Sequence, residues 1–172
     1  MWQTFIKWLD ELLYNIVYGY RHTINQDYTL TTIQNMPPDV QNKPVATPIH
    51  KSRIQTWAKA IGANEGANPA LNNPGNLKLS TLTASWGATK GHQASDGGWL
   101  CQFPTQQAGF TALCNFLTLA AEGELIISHP KPCSLQTFTV RYAGNPPQGY
   151  IDRIGLALGV PLTTDIATLL CC

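Results

Sequence analysis

Four glutamates occur in the chain, and one of them, Glu65, continues an apolar helical stripe. Ile54, Trp57 and Ile61 recur at the spacing of one helix face, and Glu65 extends that face by one more turn. A carboxyl group in such a place is partly removed from water, which disfavours its charged form. A group that keeps its proton near neutral pH is what a general acid needs. Glu65 is therefore a candidate catalytic acid, with a surface-paired or solvent-exposed glutamate as the simpler alternative.

A turn-rich loop follows Glu65 and carries three amide side chains within the five residues Asn72-Asn73-Pro74-Gly75-Asn76. Proline and glycine favour tight turns, which is the simplest explanation of the segment. Amides both donate and accept hydrogen bonds, and this combination matches the hydroxyl and N-acetyl groups of sugars. We expect Asn73 and Asn76 either to hold this loop or to contact a sugar.

Charged residues make up only 12% of the chain, and their signs nearly cancel to a net charge of +1. A nucleic-acid-binding protein would show clustered lysine and arginine, so we expect no nucleic-acid partner. The four histidines are scattered without metal-site spacing, and no glycine-rich phosphate loop is present. The sequence therefore predicts neither a metal nor an organic cofactor.

The five cysteines are odd in number and include no C-x-x-C pair of zinc-like spacing. We expect buried, reduced thiols, and Cys114 fits this expectation because it lies on an apolar helical stripe. The role of the terminal Cys171-Cys172 pair stays open between a cross-link and a lipid attachment point.

Composition and periodicity divide the chain into three segments. Apolar residues recur at helical spacing over residues 2–20, with charged residues mostly on the other side. Prolines then mark an extended linker, because proline lacks a backbone donor and disfavours helix in the residue before it. The predicted organisation is an N-terminal helical segment over 1–34, a linker over 35–49 and a main domain over 50–172.

The main domain is predicted to be mostly helical, with a small β region in its middle. Ser52 is the expected N-cap of the helix that carries Glu65. Residues 77–103 carry strand formers, and Ser95-Asp96-Gly97-Gly98 is typical of a hairpin turn. Four further helices are expected. One runs between Thr105 and Gly123, a second begins at Ser134, a third ends at Gly159, and a short last one runs from Thr164 to Leu170. Helices segregated from a β region predict an α+β fold class.

A resemblance to a known family rests on Glu65-Gly66 followed by Asn72-Asn73-Pro74-Gly75-Asn76-Leu77-Lys78. This segment resembles the catalytic segment of lysozyme-like domains in phage and bacterial muralytic proteins, which are related to soluble lytic transglycosylases and goose-type lysozymes. The downstream order fits as well, with Phe103-Pro104-Thr105, Gly109, Ala112-Leu113, Leu135, Phe138, Arg141-Tyr142-Ala143, Tyr150 and Gly159-Val160. The resemblance covers about residues 52–162 and leaves the N-terminal part outside it.

The resemblance implies a lysozyme-like, peptidoglycan-cleaving enzyme with a glutamate at the end of the first domain helix, beside a β-lined cleft. Glu65 would protonate the glycosidic oxygen between N-acetylmuramic acid and N-acetylglucosamine. The candidate substrate-binding residues are Asn73, Asn76, Gln102 at the end of the last strand, Tyr142 on a later helix, and Tyr150.

The presence or absence of a second carboxylate separates two reactions within this class, because hydrolases of this type often use a pair of acids. Asp96 lies in an Asp-Gly-Gly turn, and Asp152 stands next to Arg153, where an ion pair is the simpler interpretation. A single essential glutamate is the pattern of lytic transglycosylases, in which the muramic 6-hydroxyl attacks and a 1,6-anhydro product forms. We therefore expect a lytic transglycosylase, with a muramidase of the same fold as the alternative.

Two further functions stay open, a non-catalytic structural or glycan-binding virion protein and an endo-N-acetylglucosaminidase. No cleavable signal peptide is evident, because the N-terminus lacks a basic n-region. A small lytic domain joined by a linker to an apolar helix resembles a virion-associated phage lysin, which would act on the bacterial cell wall from the periplasmic side. Residues 2–20 would then contact a virion protein or a membrane, or else pack on the domain itself.

Overall fold

The computed structural model describes residues 48–170, with side chains from Arg53 onward. The predictions for residues 1–34, for most of the linker and for Cys171-Cys172 lie outside the described residues. Within them, the chain is mostly helical and forms one two-stranded antiparallel sheet. The predicted α+β, mostly helical fold class is confirmed.

The first helix, α1, spans Pro48–Glu65 and ends at the candidate acid. Because it begins before Ser52, the prediction of Ser52 as N-cap is wrong, and the helix includes the last two residues of the predicted linker. Proline is tolerated at a helix start because the first N–H groups of a helix have no partner within it. Trp57 and Ile61 are fully buried along the predicted apolar face.

Helix α2 occupies Thr81–Ser85, where the sequence analysis predicts strand structure. The Ser80 hydroxyl accepts a hydrogen bond from the Thr83 amide at 3.2 Å, and the Thr83 hydroxyl accepts one from the Ser80 amide at 2.8 Å. This capping box satisfies two backbone donors at the helix start. The strand prediction is wrong here because the strand preference of threonine is weak and depends on context.

The sheet is a hairpin of β1, Thr89–Gln93, and β2, Trp99–Gln102. In the turn between them, the Asp96 carboxylate accepts a hydrogen bond from the Gly98 amide at 3.0 Å, and Gly97 has a φ of +84°. An aspartate that bonds the backbone two residues on, followed by glycine at positive φ, is typical of a tight turn. The predicted hairpin is confirmed.

Three longer helices follow the hairpin: α3 (Gln106–Glu122), α4 (Leu135–Ala143) and α5 (Gln148–Leu158). The Thr105 hydroxyl accepts a hydrogen bond from the Ala108 amide at 3.1 Å, so this predicted N-cap is confirmed. The N-cap at Ser134 is confirmed by the hydrogen bond that its side chain accepts from the Thr137 amide. The helix ends at Gly123 and Gly159 are confirmed by their left-handed C-cap conformations.

The last described element is a 3-10 helix, Ile166–Leu170. Asp165, rather than the predicted Thr164, stands at its start and accepts a hydrogen bond from the Ala167 amide at 3.2 Å. Two more short 3-10 helices span Pro69–Leu71 and Ile126–Ser128.

Helix α1 lies in the core and packs against α3 and α5. An aromatic series runs through this core: Trp57 meets Phe138 edge to face at 4.9 Å between ring centroids, and Tyr142 stacks on Phe138 at 5.7 Å. Cys101, Cys114 and Cys133 are buried and reduced, as predicted, and burial raises the pKa of Cys101 to about 11. None of the helices in the described part of the chain has the length and apolar character that a membrane crossing requires.

Candidate active site

The carboxyl group of Glu65, half-buried at the end of α1, is held by two side chains from distant parts of the chain. The Tyr150 hydroxyl of α5 donates to Glu65 Oε1 at 2.6 Å. The Asn76 amide donates to Glu65 Oε2 at 3.1 Å. Because each carboxyl oxygen has its own donor, the plane of the carboxyl group is fixed from two sides.

Tyr150 is a buried tyrosine with 5% of its surface exposed. Burial, and then the hydrogen bond and charge of Glu65, raise the pKa of its hydroxyl well above the ordinary value. The hydroxyl therefore keeps its proton and acts as a constant donor to Glu65. A carboxylate offers about four acceptor positions, so positions remain for a transferred proton and for a substrate oxygen.

Asn76 holds the main chain of Glu65 as well as its side chain. Its amide nitrogen also donates to the Glu65 backbone carbonyl at 3.1 Å. That carbonyl is one of the last in α1 and has no partner within the helix. Asn76 has a φ of +49°, a conformation that asparagine adopts more readily than most residues. The backbone turn at Asn76 therefore directs one amide group to both parts of the candidate acid.

Asn73 is 2% exposed and bonds only to backbone groups. Its amide nitrogen donates to the carbonyls of Leu77 at 2.9 Å and of Cys101 at 3.1 Å. Its oxygen accepts from the Leu77 amide at 2.9 Å. Of the two roles expected for this residue, these contacts match holding the loop, which they join to strand β2.

The loop over residues 72–76 is seated on α3 through two glycines. A Cβ at Gly75 would lie 2.6 Å from Leu113 Cδ1, and a Cβ at Gly109 would lie 1.7 Å from the Asn72 carbonyl oxygen. Gly75 is outside the left-handed region of backbone conformation, so close packing, more than the predicted turn, requires glycine there. The loop that carries Asn76 therefore rests directly on a core helix.

Tyr142 of α4 also contacts the loop over residues 72–76. Its hydroxyl donates to the Gly75 carbonyl, and its ring lies against Phe138 and Phe116. Burial, with smaller contributions from the charges of Glu65 and Tyr150, raises the pKa of this hydroxyl well above its ordinary value. Tyr142 therefore remains a donor and positions the loop.

Gln102 lies at the end of β2 with an exposed side chain. Its backbone carbonyl accepts a hydrogen bond from the Thr89 hydroxyl at 3.3 Å. Within residues 53–170, no hydrogen bond joins the Gln102 side chain to Glu65 or to the loop. The structure thus brings four of the five predicted substrate-binding residues together around Glu65 and its loop, and the role of Gln102 stays a prediction.

The two aspartates considered as second acids are engaged elsewhere. Lys78 Nζ lies 2.8 Å from Asp96 Oδ1, and this hydrogen bond is the main cause that lowers the pKa of Asp96. Asp152 accepts a hydrogen bond from the Gln148 amide at 2.8 Å. The expected ion pair between Asp152 and Arg153 is absent from the described residues, and the Arg153 guanidinium donates to Asn64 instead.

Asn64 and Arg153 are neighbours of the site that the sequence patterns do not predict. One signal was available, since Tyr150 and Arg153 are three residues apart and share a face of a helix. No group of three or more histidine, cysteine, aspartate or glutamate residues in the described chain is arranged to hold a metal ion. Comparisons with protein-family models, with curated proteins and with solved structures return no match for this chain.

Replacing Tyr150 with phenylalanine tests whether its hydroxyl positions the candidate acid. The ring keeps its packing, while Oε1 of Glu65 loses its 2.6 Å donor. Because small misplacements of a reacting group are costly, we expect the peptidoglycan cleavage that the sequence predicts to show a kcat about 10- to 100-fold lower, with little change in KM. Thermal unfolding of the variant controls for stability. A wild-type kcat would show that Asn76 alone positions the carboxyl group.

Proposed function

We propose that the protein is a peptidoglycan-cleaving lytic transglycosylase that uses Glu65 as its single catalytic acid and base. One observation carries this proposal: the Glu65 carboxyl group ends a core helix and is held at both oxygens by Tyr150 and Asn76. The side chain is half exposed, so a substrate oxygen can reach it. The resemblance of residues 52–162 to lysozyme-like muralytic domains supports the choice of substrate.

The proposed reaction has two steps at one carboxyl group. Protonated Glu65 gives its proton to the glycosidic oxygen as the bond from that oxygen to the muramic C1 breaks, and the N-acetylglucosamine leaves as an alcohol. The resulting carboxylate takes the proton of the muramic 6-hydroxyl, whose oxygen bonds to C1. The products carry a 1,6-anhydro ring, no water is consumed, and Glu65 regains its proton.

The contacts of Asp96 and Asp152 favour this reaction over two-carboxylate hydrolysis. A hydrolase of the alternative kind places a second carboxylate across the scissile bond as base or nucleophile. Asp96 is held by Lys78 at the hairpin turn, and Asp152 is bonded to Gln148 on α5. Neither of them contacts Glu65, whose two side-chain partners are uncharged.

Mass analysis of the fragments released from purified sacculi tests the proposal and its alternatives. We expect 1,6-anhydro-muramic ends, which are lighter than hydrolysed ends by one water. Reducing muramic ends would show a muramidase, and reducing glucosamine ends would show an endo-N-acetylglucosaminidase. Binding to sacculi without release of fragments would show a glycan-binding protein.

The proposed setting is a virion-associated lysin in which residues 1–34 attach the enzyme to a virion protein or membrane. The apolar periodicity of residues 2–20 supports this placement. Deletion of residues 1–34 is expected to release the enzyme from particles while lysis by the purified protein stays within about two-fold, because the resemblance to lytic domains covers about residues 52–162 and leaves this segment outside it. Loss of folding in the deleted protein would show that the segment belongs to the domain core.

A further inference from the structure

Arg153 of α5 lies beside the candidate active site and is held in place by Asn64. Its Nε donates to the Asn64 side-chain oxygen, and the Asn64 amide nitrogen donates to the Ala60 carbonyl at 2.7 Å. The second bond determines which end of the Asn64 amide faces Arg153. Because Asn64 directly precedes Glu65, the guanidinium group is attached to the chain next to the candidate acid.

A second contact places the same group beside Gly149, the residue before Tyr150. A Cβ at Gly149 would lie 3.5 Å from Arg153 Nη1, so the guanidinium extends along the backbone just before Tyr150. Tyr150 and Arg153 are three residues apart on α5, and side chains at this spacing are neighbours about 5–6 Å apart at Cβ. Arg153 itself therefore lies about one helical turn from the tyrosine that holds Glu65, and its guanidinium lies beside Gly149.

The charge of Arg153 has no carboxylate partner within residues 53–170. The Asp152 carboxylate is bonded to Gln148, and the Glu65 carboxyl group is bonded to Tyr150 and Asn76. A guanidinium has about five N–H donors, of which the bond to Asn64 uses one. Arg153 is an exposed residue, so an external ligand can reach its guanidinium group.

We propose that Arg153 binds a carboxylate carried by the glycan substrate and so selects strands with acidic groups near the scissile bond. This inference rests on the proposed function. A guanidinium matches a carboxylate with two parallel hydrogen bonds, and a group already held in position loses little entropy on binding. Peptidoglycan carries carboxylates on its peptide stems, or on the muramic lactyl group where the stem has been removed, whereas a polymer of N-acetylglucosamine carries none.

Binding to native and to amidated sacculi separates carboxylate recognition from a structural role. The protein used is the full chain with Glu65→Gln, so that no strand is cleaved during cosedimentation. Amidated sacculi have their carboxylates converted to neutral amides. Adding Arg153→Gln is expected to weaken binding to native sacculi about ten-fold and to amidated sacculi less than about two-fold. Equal weakening on both substrates, or none on native sacculi, would overturn the proposal.

Lys59→Gln is the matched control, because it removes one positive charge from an exposed position of α1. Lys59 precedes Glu65 by six residues and so lies about 120° away around the helix axis. We expect this change to leave binding to both substrates within about two-fold. A ten-fold loss with Lys59→Gln would show that net charge, rather than a site at Arg153, governs binding and would overturn the proposal.

Sacculi stripped of their peptide stems identify the source of the carboxylate. An Arg153 effect that persists on them assigns the lactyl carboxylate, and an effect that disappears assigns the stem; either result supports a carboxylate site. Cleavage by the wild-type chain is recorded separately. If binding depends on Arg153 but no fragments are released, the result contradicts the proposed enzymatic activity and still supports the carboxylate site. Cleavage with no dependence of binding on Arg153 contradicts the carboxylate site alone.

Discussion

Glu65→Gln is expected to lower the rate of peptidoglycan cleavage about 1,000-fold, because glutamine has nearly the same shape but no proton to transfer. The amide oxygen of glutamine keeps one of the two hydrogen bonds that Tyr150 and Asn76 make, so stability should change by about 1 kcal/mol or less. The measurement is release of soluble fragments from sacculi, with thermal unfolding as the check on folding. Cleavage at the wild-type rate would show that Glu65 is not the acid.

Asp96→Asn is the matched control for this prediction, because it removes the carboxylate of one of the two aspartates considered as second acids. Asp96 is exposed and pairs with Lys78, so the change should cost less than about 1 kcal/mol of stability. We expect cleavage to stay within about two-fold of wild type, since Asp96 is engaged in the hairpin turn. A loss as large as that of Glu65→Gln would favour a two-carboxylate muramidase over the transglycosylase.

Gly109→Ala is expected to have the second-largest effect, although it lies on α3 and does not contact Glu65. Alanine is favoured over glycine within a helix by about 1 kcal/mol, so propensity alone predicts a more stable protein. The new Cβ would lie 1.7 Å from the Asn72 carbonyl oxygen. Because this is a backbone atom, no side-chain rotation can relieve the clash. The clash should prevail, with a net loss of about 2 kcal/mol in the free energy of unfolding.

The same substitution should lower activity beyond its effect on stability. To relieve the clash, the loop over residues 72–76 must move away from α3, and that loop carries the Asn76 amide that holds Glu65. We expect kcat to fall about 100-fold in protein that is still folded at the assay temperature. Thr111→Ala, on the exposed side of the same helix, is the control and should leave both properties near wild type. A fully active Gly109→Ala protein would show that the loop tolerates displacement.

The first and last residues of several helices could be predicted from the sequence, because capping depends on residues that are close together in the chain. Thr105 and Ser134 accept hydrogen bonds from amides three residues on, and Gly123 and Gly159 adopt left-handed backbone conformations that favour glycine. The hairpin turn at Asp96 is equally local. The strand prediction at Thr81–Ser85 is wrong because a capping box formed within four residues outweighs the strand preference of threonine.

The position of Glu65 on an apolar stripe was also visible in the sequence, and so was the amide-rich loop after it. The contact between Tyr150 and the Glu65 carboxyl group was not visible in the sequence. Tyr150 is 85 positions away and reaches Glu65 only through the packing of α5 on α1. Such a contact depends on the whole core and leaves no local pattern.

Asn73 and Asn76 show most clearly what only the tertiary structure decided. Both are asparagines of one short loop, and the sequence assigns them the same pair of roles. Burial then separates them, because Asn73 is enclosed and must satisfy its amide with the backbone of the loop and of β2. Asn76 is only partly buried in the same turn, and its amide donates a hydrogen bond to the carboxyl group of Glu65.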